Sequence, residues 1–149
     1  MAQTVEDIAA AIVAALSDAG NAADFPEDLT AAGRVRWEYV NQKDYQDYTT
    51  DPEVVIFPKQ ETTEPEDRLN GRFTMAVGIA VIRQVNAHDK ATLEPLLALP
   101  RAIRDFLFGI DQAECNWQNT TLEVLYGYDE LKHDATLVST IHSEYWIDQ

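Results

Sequence analysis

Residues 72–85, RFTMAVGIAVIRQV, decide the fold because the two sets of alternating positions in this stretch differ chemically. Bulky apolar residues recur at every second position, while the positions between them include Thr74, Ala76, Gly78 and Ala80. A period of two predicts a β-strand with one bulky and one nearly flat face. The bulky face needs a hydrophobic cover, whereas the flat face allows close approach of a packed layer or of another subunit. The bulky face comprises Phe73, Met75, Val77, Ile79, Val81 and Val85.

The segment after this strand has the spacing of an amphipathic helix, residues 91–108, and is expected to provide that cover. Pro100 removes a backbone donor and its ring clashes with the preceding turn, so we expect a kink or two abutting helical pieces around Leu99. Gly109 is expected to end the helix. The covering stripe comprises Leu93, Leu96, Leu97, Ile103, Phe106 and Leu107.

The amino-terminal segment predicts a short amphipathic helix. Thr4 and Asp7 have the spacing of an N-cap pair, and apolar residues then recur at helical spacing up to Gly20. Residues 21–32 have no sustained period and are predicted as a connecting segment, in which Phe25 closes the edge of the core. The apolar positions of the helix are Val5, Ile8, Ile12 and Leu16.

Four further segments alternate like strands, at residues 34–40, 53–59, 121–128 and 136–147. The first carries Arg36 and Glu38 on the face that we expect to meet water. Pro58 favours an edge or terminal position for the second. The last two are predicted to form an antiparallel hairpin. Its turn contains Asp129, Glu130, Lys132 and Asp134.

Residues 60–71, QETTEPEDRLNG, are predicted to form an exposed loop, because four acids around Pro65 cannot be buried together. We expect this loop to become ordered only against a neighbouring chain. Together with the flat face of the 72–85 strand, it is the candidate partner interface. The interface residues predicted in this way are Glu61, Glu64, Glu66, Asp67, Arg68, Ala76, Gly78 and Ala80.

The order of elements predicts an α+β fold. The 149 residues are about the length of one ordinary domain, so we expect a single domain over residues 1–149. Its sheet is predicted to be mainly antiparallel, with four or five strands and with helices packed on one face.

The charge balance argues against nucleic-acid binding through a basic patch. The chain has 26 acidic and 11 basic residues, a net charge of -15, and such a balance repels phosphate backbones. The acidity fits either a soluble protein or an acidic wall along a passage for another polyanion. The sequence shows neither a signal peptide nor an apolar run of the roughly 20 residues needed to cross a bilayer, so we expect no membrane association.

Candidate chemical groups are few. His142 and Glu144 share a strand face and could begin a metal site, but a third ligand is missing nearby, and His88 and His133 lie in turns. Cys115 is the only cysteine, which excludes an internal disulfide. The three serines, Ser17, Ser139 and Ser143, do not occur in a nucleophile elbow, and phosphate-binding glycine loops are absent. We therefore expect no catalytic residues, no metal and no cofactor.

The succession of elements resembles the tail terminator, or tail completion, proteins of long-tailed bacteriophages and related contractile particles. The resemblance extends over residues 5–147. The segments that carry it are IAAAIVAAL, RVRWEYV, EVVIFPK, the acidic 60–71 segment, FTMAVGIAVIRQV, LEPLLALPRAIRDFLFG and ATLVSTIHSEYWI.

The resemblance implies a non-enzymatic virion protein that assembles in the host cytoplasm as a homo-oligomeric, commonly hexameric, ring. Such a ring caps the tail tube, ends tail elongation and contributes to the head–tail junction, and DNA passes through it without sequence-specific binding. The implied partners are the tail tube protein, a neck or connector protein and, in a contractile tail, the sheath protein. The alternatives are a neck or head-completion adaptor and a small α+β module that binds a peptide or ligand.

Overall fold

A computed structural model describes residues 3–65 and 71–148 of the chain. These residues form a five-stranded sheet in the order β1-β2-β3-β5-β4. Strand β1 runs parallel to β2 and all other neighbours are antiparallel, which confirms the predicted α+β fold with a mainly antiparallel sheet. The strands are β1 Val35–Trp37, β2 Glu53–Pro65, β3 Gly71–Gln84, β4 Asn116–Val124 and β5 Thr136–Asp148. The α-helices are α1 Val5–Ser17, α2 Lys90–Leu96, α3 Ala98–Leu107 and α4 Tyr128–Asp134.

Strand β3 is central, as its sequence predicts, because it pairs with β2 on one side and β5 on the other along almost its whole length. Ile79 is opposite Ile56 on β2 and Ile141 on β5, and all three side chains are buried in one cluster. The predicted bulky face is therefore correct from Phe73 to Val81. Val85 lies beyond the end of β3 and belongs to a separate apolar cluster.

Helices α1 and α3 cover the bulky face of the sheet. Their inward stripes are completely or almost completely buried, and a buried Leu or Ile contributes about 1.5–3 kcal/mol relative to an exposed one. These stripes are Ile8, Ile12 and Leu16 from α1 and Leu99, Ile103 and Leu107 from α3. Phe25 is also buried there, with its ring centroid 5.2 Å from that of Phe106, so its predicted role in closing the core is confirmed.

The predicted break in the 91–108 helix is confirmed, but it lies at Leu97 instead of Leu99. Pro100 occupies the first turn of α3, where its missing N–H costs no helical hydrogen bond. One consequence differs from the prediction. The first part of the expected stripe, Leu93, Leu96 and Leu97, packs with Leu131 and Leu137 at the end of the sheet instead of over its centre.

Helix α1 begins with the predicted capping box. The Thr4 hydroxyl accepts a hydrogen bond from the Asp7 amide at 3.3 Å, and the Asp7 carboxylate accepts one from the Thr4 amide at 2.9 Å. The helix ends at Ser17, before the predicted limit at Gly20, and a 3-10 helix follows at Ala19–Asp24. Within the described chain, no helix is long and apolar enough to span a bilayer.

The strand predicted at 34–40 is reduced to the three residues of β1, and its polar face is only partly exposed, with the side chains of Arg36 and Glu38 at 23% and 22%. Residues 38–52 fold back over this side of the sheet. Arg36 donates to Glu38 and to Glu53, both at 2.7 Å, and to the Tyr48 hydroxyl at 3.1 Å. Burial alone would lower the pKa of Arg36, but these partners outweigh it and raise the pKa. The alternating pattern therefore identified the strand and its polar face but overestimated the exposure of that face.

The prediction of a loop at 60–71 is wrong for residues 60–65, which continue β2 and pair with β3 as far as Pro65 opposite Gly71. Cross-strand hydrogen bonds support this polar stretch, and composition does not reveal them. Pro58 is tolerated because β1 ends at Trp37 opposite Ile56, so Pro58 lies on an edge, beside a register shift before Gln60. The rest of the predicted loop, residues 66–70, lies outside the described residues.

The carboxy-terminal hairpin is confirmed in its antiparallel pairing and corrected in its limits. Strand β4 covers 116–124, earlier than the predicted 121–128, and the expected turn is the helix α4. Ala135 ends α4 in the left-handed conformation, with φ 51°, the usual way to end a helix although glycine is preferred there.

Candidate interaction surfaces

The predicted interface residues fall in different environments. Glu61 is exposed on β2, but its carboxylate accepts a hydrogen bond from the Val5 amide at 3.0 Å and so supports the first turn of α1. Strand β2 includes Glu64, whose backbone is opposite Arg72. Glu66, Asp67 and Arg68 lie outside the described residues. The flat face of β3, with Ala76, Gly78 and Ala80, forms part of the sheet face opposite α1 and α3, called here the second face.

Gly78 is required by packing within the chain. A Cβ atom at this position would overlap the ring of Phe57, the residue directly opposite on β2. An aromatic ring that lies over a cross-strand glycine shields the backbone that the glycine exposes. Ala80 is likewise covered, in a small cluster with Tyr48, Val55 and Ile82. Gly78 and Ala80 therefore make room for side chains of the same subunit.

The other half of the second face is open and polar. It includes a depression of about 200 Å³ beside Ala76. This depression is lined by Gln60, Thr62, Thr74, Ala76, Gln118 and Glu144. Its hydroxyl, amide and carboxylate groups offer hydrogen bonds to a polar partner but no apolar anchor. This half of the face also includes a row of charged groups.

His142 is at the centre of that row. Lys59 Nζ lies 2.9 Å from His142 Nδ1 and 3.2 Å from Glu123 Oε2, while His142 Nε2 lies 2.8 Å from Glu144 Oε1. A charged lysine donates hydrogen bonds only, so His142 Nδ1 accepts and Nε2 carries the proton that is donated to Glu144. Both ring nitrogens of His142 are then hydrogen-bonded to side chains of the same chain. These contacts link the side chains of β2, β5 and β4 on this face of the sheet.

The other side chains that could bind a metal or act as a nucleophile are dispersed over the described part of the chain. Among residues 3–65 and 71–148, no cluster of three or more His, Cys, Asp or Glu side chains could hold a metal ion. His133 lies exposed on α4 and His88 lies exposed before α2. Cys115 is fully buried, and burial followed by the nearby charges of Asp7, Glu114 and Asp111 raises the pKa of its thiol.

An apolar groove of about 520 Å³ lies between α2 and α4. Leucine side chains form the floor of this groove. Two tyrosines form part of its wall and are highly exposed, Tyr126 at 45% and Tyr128 at 62%. The lining residues are His88, Lys90, Leu93, Glu94, Leu97, Tyr126, Tyr128, Leu131, Lys132 and Leu137. We call this surface the tyrosine groove.

The sequence prediction missed the tyrosine groove because α4 was expected to be a turn. The helix places Leu131 under the groove and Lys132 on its rim, where Lys132 Nζ lies 5.5 Å from the centroid of the Tyr128 ring. The spacing of Tyr128, Leu131 and Lys132 in YDELKHD is the signal that could have indicated this helix.

A second exposed apolar surface lies beyond the carboxyl end of α3. Phe108 is 61% exposed and Ile110 is 49% exposed, although the Phe108 ring packs at 4.6 Å centroid distance on Trp117. The charged residues near it are mainly acidic, including Asp111 and Glu114. We call this surface, residues 108–111 with Glu114, the Phe108 patch.

Comparisons with known proteins show a likeness in fold to a solved structure. No protein-family model matches the sequence, and a search of curated proteins finds no match. Among solved structures, the fold is similar to a chain in the virion of a native gene transfer agent (GTA) particle, with a TM-score of 0.56 and 16% sequence identity over 100% of both chains. At 16% identity this likeness shows a common fold, and the alignment covers the whole of both chains.

Proposed function

We propose that this chain is a structural virion protein that closes the end of a tail tube as a homo-oligomeric ring. The observation that carries the proposal is the end-to-end likeness of the fold to a chain of a gene transfer agent virion. The same order of elements supports it from the sequence, since it resembles that of tail terminator proteins. A shared fold does not by itself define function, so the location in a particle is the point to test.

The properties of the surface fit this role. The net charge of -15 disfavours tight binding to DNA, as a passage through which a duplex must move requires. The side chains of the charged row around His142 contact one another, whereas the tyrosine groove and the Phe108 patch offer exposed apolar surface to protein partners. In the proposed ring these partners are further copies of the chain, the tail tube protein and a neck or connector protein.

Deletion of the gene from the parent particle tests the proposal. We expect tails of irregular length, or tails that fail to join heads, in electron micrographs, and we expect the wild-type gene in trans to restore normal particles. Normal, infectious particles without the protein would contradict the proposal. Tails of uniform length that remain unjoined would instead indicate a neck or head-completion adaptor.

One observation favours a second candidate function. The tyrosine groove has the volume and apolar lining of a binding site for a peptide or small ligand. A ligand-binding module would remain a monomer or dimer in solution, whereas the proposed ring requires a larger oligomer. Measurement of the molar mass by light scattering therefore separates the two functions.

A further inference from the structure

We propose that the tyrosine groove of one subunit receives the Phe108 patch of a second copy of this chain, in a head-to-tail contact. This inference rests on the proposed ring, for which it supplies the contact between neighbouring subunits. Two observations carry it: the complementary chemistry of the two surfaces and their positions at opposite ends of the subunit.

The apolar parts of the two surfaces match in kind. The groove offers a leucine floor and two exposed tyrosine rings, and the patch offers Phe108 and Ile110 as projecting side chains. Aromatic side chains that enter an apolar pocket are typical anchors of protein interfaces. Burial of these exposed apolar side chains against a partner removes them from water, which is favourable.

The charged residues that line the groove differ in sign from Asp111 and Glu114 beside the Phe108 patch, although the exposed Asp89 and Asp129 flank the groove in sequence. Lys90 and Lys132 line the groove together with His88, against a single glutamate, Glu94. The Phe108 patch has Asp111 and Glu114 at its edge. Complementary charge at the rim directs a partner to the correct surface and disfavours a groove-to-groove contact, which would bring lysines together.

The positions of the surfaces exclude filling of the groove by the patch of the same subunit. Leu137, at the start of β5, lines the groove, whereas Phe108 packs on Trp117, which pairs with Tyr145 near the end of β5. Residues 137 and 145 are eight positions apart, which corresponds to about 27 Å along a strand. Asp111 lies at that far end too, because its charge adds to the effect of burial that raises the pKa of Tyr145 to about 12.

Two different surfaces at opposite ends make a heterologous contact. Such contacts repeat from subunit to subunit and close into a ring when the rotation between neighbours permits. The groove and the patch therefore provide a physical basis for a ring of more than two subunits, whereas a contact of one surface with itself gives only a dimer.

Complementation between two variants tests the inference. Phe108→Asp disables the patch and Tyr128→Asp disables the groove, and both positions are exposed enough to accept aspartate without unfolding. We expect each variant alone to be a monomer with association weakened at least ~30-fold, the loss typical of an interface anchor. When the two are mixed, the intact patch of one fits the intact groove of the other, so a one-to-one heterodimer should form.

Controls make the outcomes distinct. Val40→Asp is the matched control, because Val40 is 68% exposed, apolar and outside both surfaces, and this variant should assemble like the wild type. Ile110→Asp and Lys132→Glu provide a second pair if either first variant has an altered circular dichroism spectrum. If the wild type forms a ring and each variant alone still forms it, or if the mixture of the two variants stays monomeric, this contact is overturned and the ring proposal stands. A monomeric wild-type chain would overturn both.

Discussion

Gly78→Ala should destabilise the isolated subunit, although alanine normally stabilises a strand relative to glycine. The added Cβ would overlap the ring of Phe57, which must then leave its position in the cluster with Tyr48 and Ala80. Overpacking of this kind costs roughly 1–3 kcal/mol. The smaller loss of backbone entropy favours alanine by about 0.5–1 kcal/mol. The expected net loss is therefore about 1–2 kcal/mol in the free energy of unfolding.

Urea unfolding and thermal melting measure this loss. A domain of this length loses about 2–4 °C of melting temperature per kcal/mol, so we expect a decrease of roughly 2–8 °C. The decisive comparison is a double-mutant cycle with Phe57→Ala, in which the ring is absent and Gly78→Ala should become neutral or stabilising. Equal destabilisation of both backgrounds would refute the steric explanation, and no destabilisation of the wild type would show that the Phe57 ring moves aside at little cost.

Three further substitutions test other parts of the structure. Ile79→Asp buries an unpaired charge at the sheet centre and should cost roughly 4 kcal/mol or more; a cooperative thermal melt close to that of a Thr121→Asp control would show that the faces of β3 are assigned wrongly. Ala135→Gly removes the steric strain of a left-handed alanine after α4 and should raise the free energy of unfolding by about 0.5–1 kcal/mol. We expect a higher midpoint of urea unfolding with an unchanged slope, and a lower midpoint would contradict this. Glu38→Gln should cost ~1 kcal/mol at pH 7 and little in acid. Burial alone would raise the pKa of Glu38, but the hydrogen bonds from the Gln42 amide and from Arg36 outweigh burial and lower this pKa below 4.5. The Glu38 carboxylate therefore stabilises the fold above about pH 4.5, and this stabilisation is lost as the pH falls towards the folded-state pKa. A pH-independent difference between Glu38→Gln and the wild type would exclude this linkage.

The central sheet and its cover could be predicted from the sequence because their periodicities are long and regular. The faces of β3, the capping box of α1 and the two-piece helix around Pro100 all follow from local spacing. Phe25 was identified as part of the core by its residue type and not by spacing, because a lone aromatic side chain in a polar connecting segment is most stable when it is buried.

The remaining features depend on contacts between distant parts of the chain. The length of β2 follows from its pairing with β3, which stabilises a polar stretch that resembles a loop by composition. The partial burial of Arg36 and Glu38 follows from residues 38–52, which fold back over the sheet. The tyrosine groove requires α4, and its seven residues form only one or two turns, so the helical spacing of Tyr128, Leu131 and Lys132 is a weak signal beside the turn-like composition of this segment.

Cryo-electron microscopy of the intact parent particle tests the proposed function most directly. We predict that this chain forms a closed ring between the end of the tail tube and the neck, with the Phe108 patch of each subunit in the tyrosine groove of the next. Density for the chain at another location, or its absence from the particle, would contradict the proposed function.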